Sequence, residues 1–260
     1  MHKQTRKRIW RCCNRTLWLL LVIYLLLWIF PQPLFAHSRR YGNLMLYSRA
    51  PLPENVEDIL KKTDQLLSAS ELYSTNTTRR IFVCGDCKLY RLLTFGQRHG
   101  FGCSFATTSR NIFIPKADFT NNVVLQEKWN ADDTRKRTFS AVAAHEITHL
   151  MIAEHLGRFS YWQLHKKAAW LDEGYCDFIA RSSSDTFENG ARSILETPYG
   201  AKGLSYFRSR LMVAKLLNEE QLSIKTLLRN PPDGQKISDE VTETLRRNPV
   251  IDPASIEPKG

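Results

Sequence analysis

Hydrophobic and polar positions divide the chain into stretches of different character. Residues 17–30 (LWLLLVIYLLLWIF) form one unbroken apolar run without a charge. Beyond it, apolar residues recur with the periods of folded elements. Val56, Ile59, Leu60, Leu66 and Leu67 fall on one stripe and predict a helix over residues 53–67, opened by Pro53 and Glu54. The β-branched and aromatic run RIFVC (80–84) predicts a strand, and NIFIP (111–115) a second one stopped by its proline. The glycine-rich residues 95–102 between them read as a loop. A long helix is expected over residues 137–156 with Gly157 as its stop, then a loop to residue 167, a helix over 168–180, and further helices over 206–217 and 223–228. Short strands followed by a helical half predict an α+β fold, a small sheet packed on the long helix. Residues 37–52 read as a polar linker, 53–230 as the folded domain, and 231–260, polar and with five prolines, as a largely irregular tail.

The apolar run changes the picture most. Its uncharged window extends over residues 16–36, 21 positions, about the length that spans the hydrocarbon core of a bilayer. Residues 1–16 before it hold Lys3, Arg6, Lys7, Arg8, Arg11 and Arg15 and no acid. By the positive-inside rule this tail stays cytoplasmic and everything after residue 36 lies on the other side. A transmembrane anchor (17–36) and a secretory signal cleaved after Ala36 both fit this pattern. Leu34, large where a small residue is preferred, favours the uncleaved anchor over a secreted form. The basic tail also explains the charge, because six of the +11 formal charges lie in it and the remaining 244 residues carry only +5. Such a balance excludes nucleic-acid binding by bulk charge.

The chemistry is carried by His145-Glu146-Ile147-Thr148-His149, an H-E-x-x-H in a helical context with no glycine or proline. Four residues apart on a helix, the two imidazoles leave one face a turn apart and can reach one tetrahedral zinc ion. Glu146, beside the first histidine, can reach a metal-bound water. A third ligand is needed. His155 follows His149 at the separation used by metzincins, but Ile152 stands where that pattern needs a glycine to end the helix. On a continuing helix His155 lies about 15 Å beyond His145 and cannot share its ion.

The other candidate is Glu173, in Trp170-Leu171-Asp172-Glu173-Gly174-Tyr175-Cys176-Asp177. This segment, with the H-E-x-x-H before it, resembles the gluzincins, the thermolysin-like and aminopeptidase-like zinc peptidases, and its W-L-x-E-G-aromatic run is most similar to the aminopeptidase branch. The resemblance covers roughly residues 138–217. It implies a zincin-like fold in which His145, His149 and Glu173 hold Zn2+, Glu146 acts as general base, and Asp177 accepts the free N–H of His145. Asp172 is expected to be a solvent-facing charge. The stretch 206–213 resembles the helix that carries the oxyanion-stabilising tyrosine, which implies that role for Tyr206, with Tyr175 a weaker alternative. His165 is expected in a loop. Two departures stand out: 23 residues separate His149 from Glu173, more than is usual, and the aminopeptidase Gly-x-Met-Glu-Asn strand is missing. The second favours internal cleavage.

These readings add up to an extracytoplasmic zinc endopeptidase acting on peptides or proteins, held to a membrane by its N-terminal segment. The alternative is a non-catalytic metal-binding regulatory or interaction module at the membrane. A strand at 111–115, or residues 107–110 nearby, is a candidate edge for pairing with substrate. Of the cysteines outside the bilayer, Cys84 or Cys87 is expected to pair with Cys103, and Cys176 to be a buried thiol.

Overall fold

The computed structural model of the chain describes residues 2–97, 100–125, 137–182, 187–200, 205–248 and 252–258. The fold is α+β, with one five-stranded mixed sheet and a helical second half. Helix α1 (His2–Ile29) contains the apolar run, and its stretch Ile9–Ile29 is long and apolar enough to cross a membrane. Strands β1 (His37–Tyr41) and β2 (Leu44–Ser48) form a hairpin whose turn begins at Gly42, where φ is +54°, a backbone region open to glycine at little cost. The expected linker over residues 37–52 is therefore corrected to two strands. β1 is an edge strand with its middle residues in solvent, so it shows no apolar alternation, whereas β2 alternates fully and half-buried positions.

Helix α2 (Val56–Leu67) crosses to β3 (Arg79–Val83), which runs parallel to β2, and α3 (Cys87–Leu93) follows. Next come β4 (Cys103–Ser104), β5 (Asn111–Ile114), and the small pair β6 (Ala117–Asp118) and β7 (Val123–Val124). The main sheet has the order β1-β2-β3-β5-β4. β5 is thus internal, parallel to β3 and antiparallel to β4, so it is not a candidate edge for substrate. Of the main sheet's edge strands, β1 and β4, it is β4 that lines the cleft. The alternation of strand side chains divides the core: Ile81, Val83, Ile112 and Ile114 face the helical half, while Phe82 and Phe113 face the opposite layer with Phe35, Tyr90 and Leu93. Covered on both faces, these strands read as continuous apolar runs.

Helix α4 (Phe139–Leu156) lies at the centre, with every residue from Phe139 to Ala153 buried. Thr138 caps it by accepting from the Ala141 N–H, and it ends at Gly157, where φ is +80°. The Arg79 guanidinium, 2% exposed, makes two hydrogen bonds of 2.6 and 2.7 Å to Glu154 and ties the end of α4 to the sheet. Helix α5 (Arg158–Lys167) occupies the segment expected as a loop and shortens the path to α6 (Ala169–Ala180). Then follow α7 (Phe187–Glu196), α8 (Tyr206–Ala214), a π-turn (Lys215–Glu219), α9 (Ile224–Arg229) and α10 (Gly234–Arg247). The expected irregular tail is corrected by α10, which buries Ile237, Val241 and Leu245, four residues apart, against the domain. Its prolines flank the helix and do not interrupt it.

Helices α6 and α8 approach closely because Gly174 has no side chain: a Cβ there would lie 2.4 Å from the Ser209 carbonyl oxygen. That contact fixes the position of Glu173, its chain neighbour. On the other side of the sheet, the end of α1 docks onto the domain. Trp28 Nε1 donates to the Leu93 carbonyl at 3.1 Å, and buried Asn111 donates to the carbonyls of Trp28 and Ile29, both at 3.0 Å. These bonds satisfy carbonyls that the end of a helix leaves unpaired. The expected cysteine pairing is corrected: Cys84, Cys103 and Cys176 are buried, unbridged thiols.

Candidate metal centre

His145 and His149 project from α4 towards α6 and Glu146 towards Gly102, with 6%, 7% and 8% of their surfaces exposed. The two imidazole rings lie 4.9 Å apart and nearly perpendicular. Helix α6 supplies Asp172, Glu173, Cys176 and Asp177. Each imidazole is held at Nδ1 by a fully buried carboxylate. His145 Nδ1 donates to Asp177 Oδ1 at 2.8 Å, and His149 Nδ1 donates to Asp172 Oδ1 at 2.9 Å. With Nδ1 engaged, each ring turns Nε2 to the same oxygen, Glu173 Oε2, at 3.2 Å from His145 and 3.5 Å from His149.

This donor set can be tested against a tetrahedral ion. Ligand atoms about 2.0–2.1 Å from zinc stand roughly 3.3–3.4 Å from one another along the edges of the tetrahedron. Both distances to Glu173 Oε2 match such edges, and a carboxylate hydrogen-bonded to the far nitrogen is the usual way a ligating imidazole is oriented. His145, His149 and Cys176 are also close enough to form a metal-binding group, with the Cys176 sulfur 3.3 Å from His149 Nδ1. That nitrogen already faces Asp172 and lies 3.3 Å from the Tyr161 hydroxyl. Without an ion, burial pushes the Cys176 thiol well up.

The carboxylates are themselves supported. Asp172 accepts from the Tyr161 hydroxyl at 3.1 Å and from His165 Nδ1 at 2.7 Å. Arg137, 8% exposed, donates to Asp177 at 3.4 Å and lies over the rings of Phe101 and Tyr206. The expected solvent-facing Asp172 is therefore corrected to a fully buried partner of His149, and His165 is corrected from a loop to helix α5. Asp172 is buried because α4 and α5 both pack against α6, a consequence of tertiary packing that its neighbours in sequence do not disclose.

The remaining expected residues separate. Tyr206 opens α8 at the rim of the site, with its ring 6.2 Å from that of His145. Burial, and then the charges of Glu173 and Asp177, raise its phenol pKa, so it stays a hydrogen-bond donor. Tyr175, the weaker alternative, is excluded: it is 1% exposed and shares a 2.7 Å hydrogen bond with Ser70 away from the cleft. α4 continues through Ile152, and His155 lines a different cavity with Ser160 and Arg229. The cleft at the candidate centre has a volume of about 400 Å³ and is bounded by β4, α4 and the start of α8. Gly102 lies against Glu146, and a Cβ there would be 2.9 Å from its Cγ and Oε1. Gly102, Tyr161, His165 and Arg137 were not distinguished by the sequence, because each acts through a contact between distant elements.

No protein-family model matches the chain, and no curated protein is significantly similar to it.

The metal-free centre carries a pH signature. Burial opposes protonation of His145, but the hydrogen bonds to Asp177 and Glu173 outweigh it and push the imidazole up to about 9. Burial likewise opposes the Glu173 charge, and the attraction of His149 with hydrogen bonds from both histidines holds the carboxyl well below its ordinary range. The raised histidine contributes stability that is complete below its ordinary value of about 6.5 and is lost as pH rises through about 9. The depressed carboxyl contributes stability that is complete above about 4.5 and is lost as pH falls. Thermal melts in chelator should therefore be highest near pH 5–6 and fall towards pH 9. Added metal should reverse the high-pH trend, because it binds the neutral imidazole.

Proposed function

We propose that the chain is a membrane-anchored zinc endopeptidase of gluzincin type, acting on the extracytoplasmic side. The observation that carries this reading is that both imidazole Nε2 atoms lie near one Glu173 oxygen, at 3.2 and 3.5 Å, two edge lengths of a tetrahedron, beside a carboxylate, Glu146, that lines the cleft and is not part of that pairing. His145, His149 and Glu173 would hold Zn2+, and Asp177 and Asp172 fix the two rings. When bound, the ion supplies a Lewis acid and lowers the pKa of its water to about 7.

The chain's own groups do the rest. Glu146 accepts a proton from the attacking water and delivers it to the leaving nitrogen. Tyr206 keeps its phenol proton and donates to the oxygen that gains charge. Ser104 and its neighbours on the β4 edge offer backbone groups to an extended peptide, which fixes the scissile bond over the centre. Gly102 sets the distance between that strand and Glu146. A Gly102→Ala variant should keep its metal and fold, since the obstructing atoms are a flexible carboxylate, yet lose about 10²-fold in turnover because the base is displaced. Steady-state kinetics with metal analysis checks both halves.

Retention of α1 is supported by its contacts. Cleavage after Ala36 would remove Trp28 and Ile29, whose carbonyls satisfy the buried Asn111 amide, and would extract Phe35, 7% exposed, from its place against Phe82. The basic tail then orients the anchor with its N-terminus in the cytoplasm.

The test is digestion of a diverse peptide mixture by the purified full-length chain. About one zinc per chain and internal cleavage that chelator stops and zinc restores is the expected result. Tight zinc binding with every peptide left intact would replace the peptidase with a metal-dependent interaction module.

A further inference from the structure

The end of α3 and the turn that follows it carry two large apolar side chains in the open, Leu92 (54% exposed) and Phe95 (57% exposed). Both lie beside α1. The Tyr24 hydroxyl donates to the Leu92 carbonyl at 2.6 Å, and the Phe95 ring packs 6.1 Å from Tyr24 and 5.1 Å from Trp28. Tyr24 is five residues before the end of α1, about 7–8 Å down the helix axis. The charge-free part of α1, residues 16–29, has 14 residues, about 21 Å of helix and less than the roughly 30 Å hydrocarbon core. A helix of that length has no apolar residues to spare, so the level of Tyr24 falls within the outer leaflet, and Leu92 and Phe95 are at the same level. The same aromatic cluster reaches the cleft: Phe105 packs 5.1 Å from Trp28 and 5.7 Å from Phe95, and it also lines the candidate centre's cavity.

We propose that Leu92 and Phe95 dip into the outer interface of the bilayer beside α1, so that the cleft opens at the membrane surface and takes the membrane-proximal segment of another membrane-anchored polypeptide. The occupant of this apolar patch is lipid, because the patch continues the surface of α1. This inference rests on the anchored-peptidase reading and adds the substrate class. A fixed height above the bilayer puts cuttable backbone within reach only just outside a span, and confinement to the same surface raises its effective concentration.

The experiment has two arms, both with the full-length chain in phosphatidylcholine vesicles. In the first, nitroxide labels are placed one at a time at Leu21→Cys, Phe95→Cys and Lys236→Cys, with Cys12, Cys13 and Cys87 replaced by serine. Collisions with oxygen and with a water-soluble nickel complex are then measured. The labels at 21 and 95 should favour oxygen and the label at 236 nickel. A lipid-exposed 21 with a 95 as aqueous as 236 overturns the inference and leaves the anchor standing, whereas an aqueous 21 removes the anchor and the inference with it. In the second arm, the peptide sequence cut fastest in solution is placed in a single-span protein, either directly after the span or beyond a long flexible spacer. The near site should be cut about tenfold faster. The Leu92→Ser/Phe95→Ser double variant should lose most of that preference while cutting the soluble peptide at the wild-type rate. Equal cutting of both sites by the wild type overturns the inference, and no cutting of any soluble peptide counts against the peptidase reading alone, because the first arm reads depth without turnover.

Discussion

Glu146→Gln should abolish peptide hydrolysis while leaving the metal in place. The substitution keeps the shape of the side chain and removes its ability to take a proton, so the expected loss is about 10²–10⁴-fold in turnover with little change in substrate affinity. Glu146 is 8% exposed, lines the cleft and is outside the set of atoms that converge on Glu173 Oε2, so zinc content should stay near one per chain. The melting curve should be close to wild type, since an uncharged amide at this position costs no more to bury than the carboxylate it replaces. Measuring turnover, metal content and melting on the same preparation separates this outcome from simple misfolding. Wild-type turnover in the variant would remove Glu146 from the chemistry and with it the proposed mechanism.

The second large effect distinguishes two ligand sets. Glu173→Ala should lose metal altogether under conditions where Cys176→Ser keeps it. Glu173 Oε2 is 3.2 and 3.5 Å from the two Nε2 atoms, while the Cys176 sulfur is 3.3 Å from an Nδ1 that already faces Asp172. Removing an outer partner such as Asp172 should have an intermediate effect, a weakening of about 10–100-fold, because the ring keeps its ligating atom and loses its orientation. Competition titrations against a chelator of known affinity rank the three variants. If Cys176→Ser released the ion and Glu173→Ala retained it, the ligands would be the two histidines and the buried thiol, and the gluzincin reading would fall.

The balance between what the sequence showed and what it hid follows from the range of each interaction. H-E-x-x-H is legible because helix geometry alone brings residues four apart onto one face. Glu173 and Asp177 were pointed to by the resemblance to gluzincins, and both carboxylates contact the His145 ring; the strands RIFV and NIFI are legible because their apolar runs match burial on both faces. The hairpin of β1 and β2 was missed because an edge strand with three exposed residues has no alternation to read. Helix α10 was missed because its prolines, read as composition, suggested disorder, although none falls inside the helix.

By itself the sequence determined the local elements of this protein: an apolar N-terminal helix of spanning length, an α+β order of short strands then helices, and a central helix with two imidazoles four residues apart and a carboxylate beside the first. Only the tertiary structure decided that Asp172 is buried and holds His149, that β4 and not β5 is the edge at the cleft, that Cys84, Cys103 and Cys176 are unbridged, and that the end of α1 is wedged against the wall of the candidate site. Helical and strand periodicity is a property of neighbouring residues. Burial, partner choice and edge position depend on which distant elements pack together, and there a missing Cβ at Gly174 or Gly102 counts for as much as any motif.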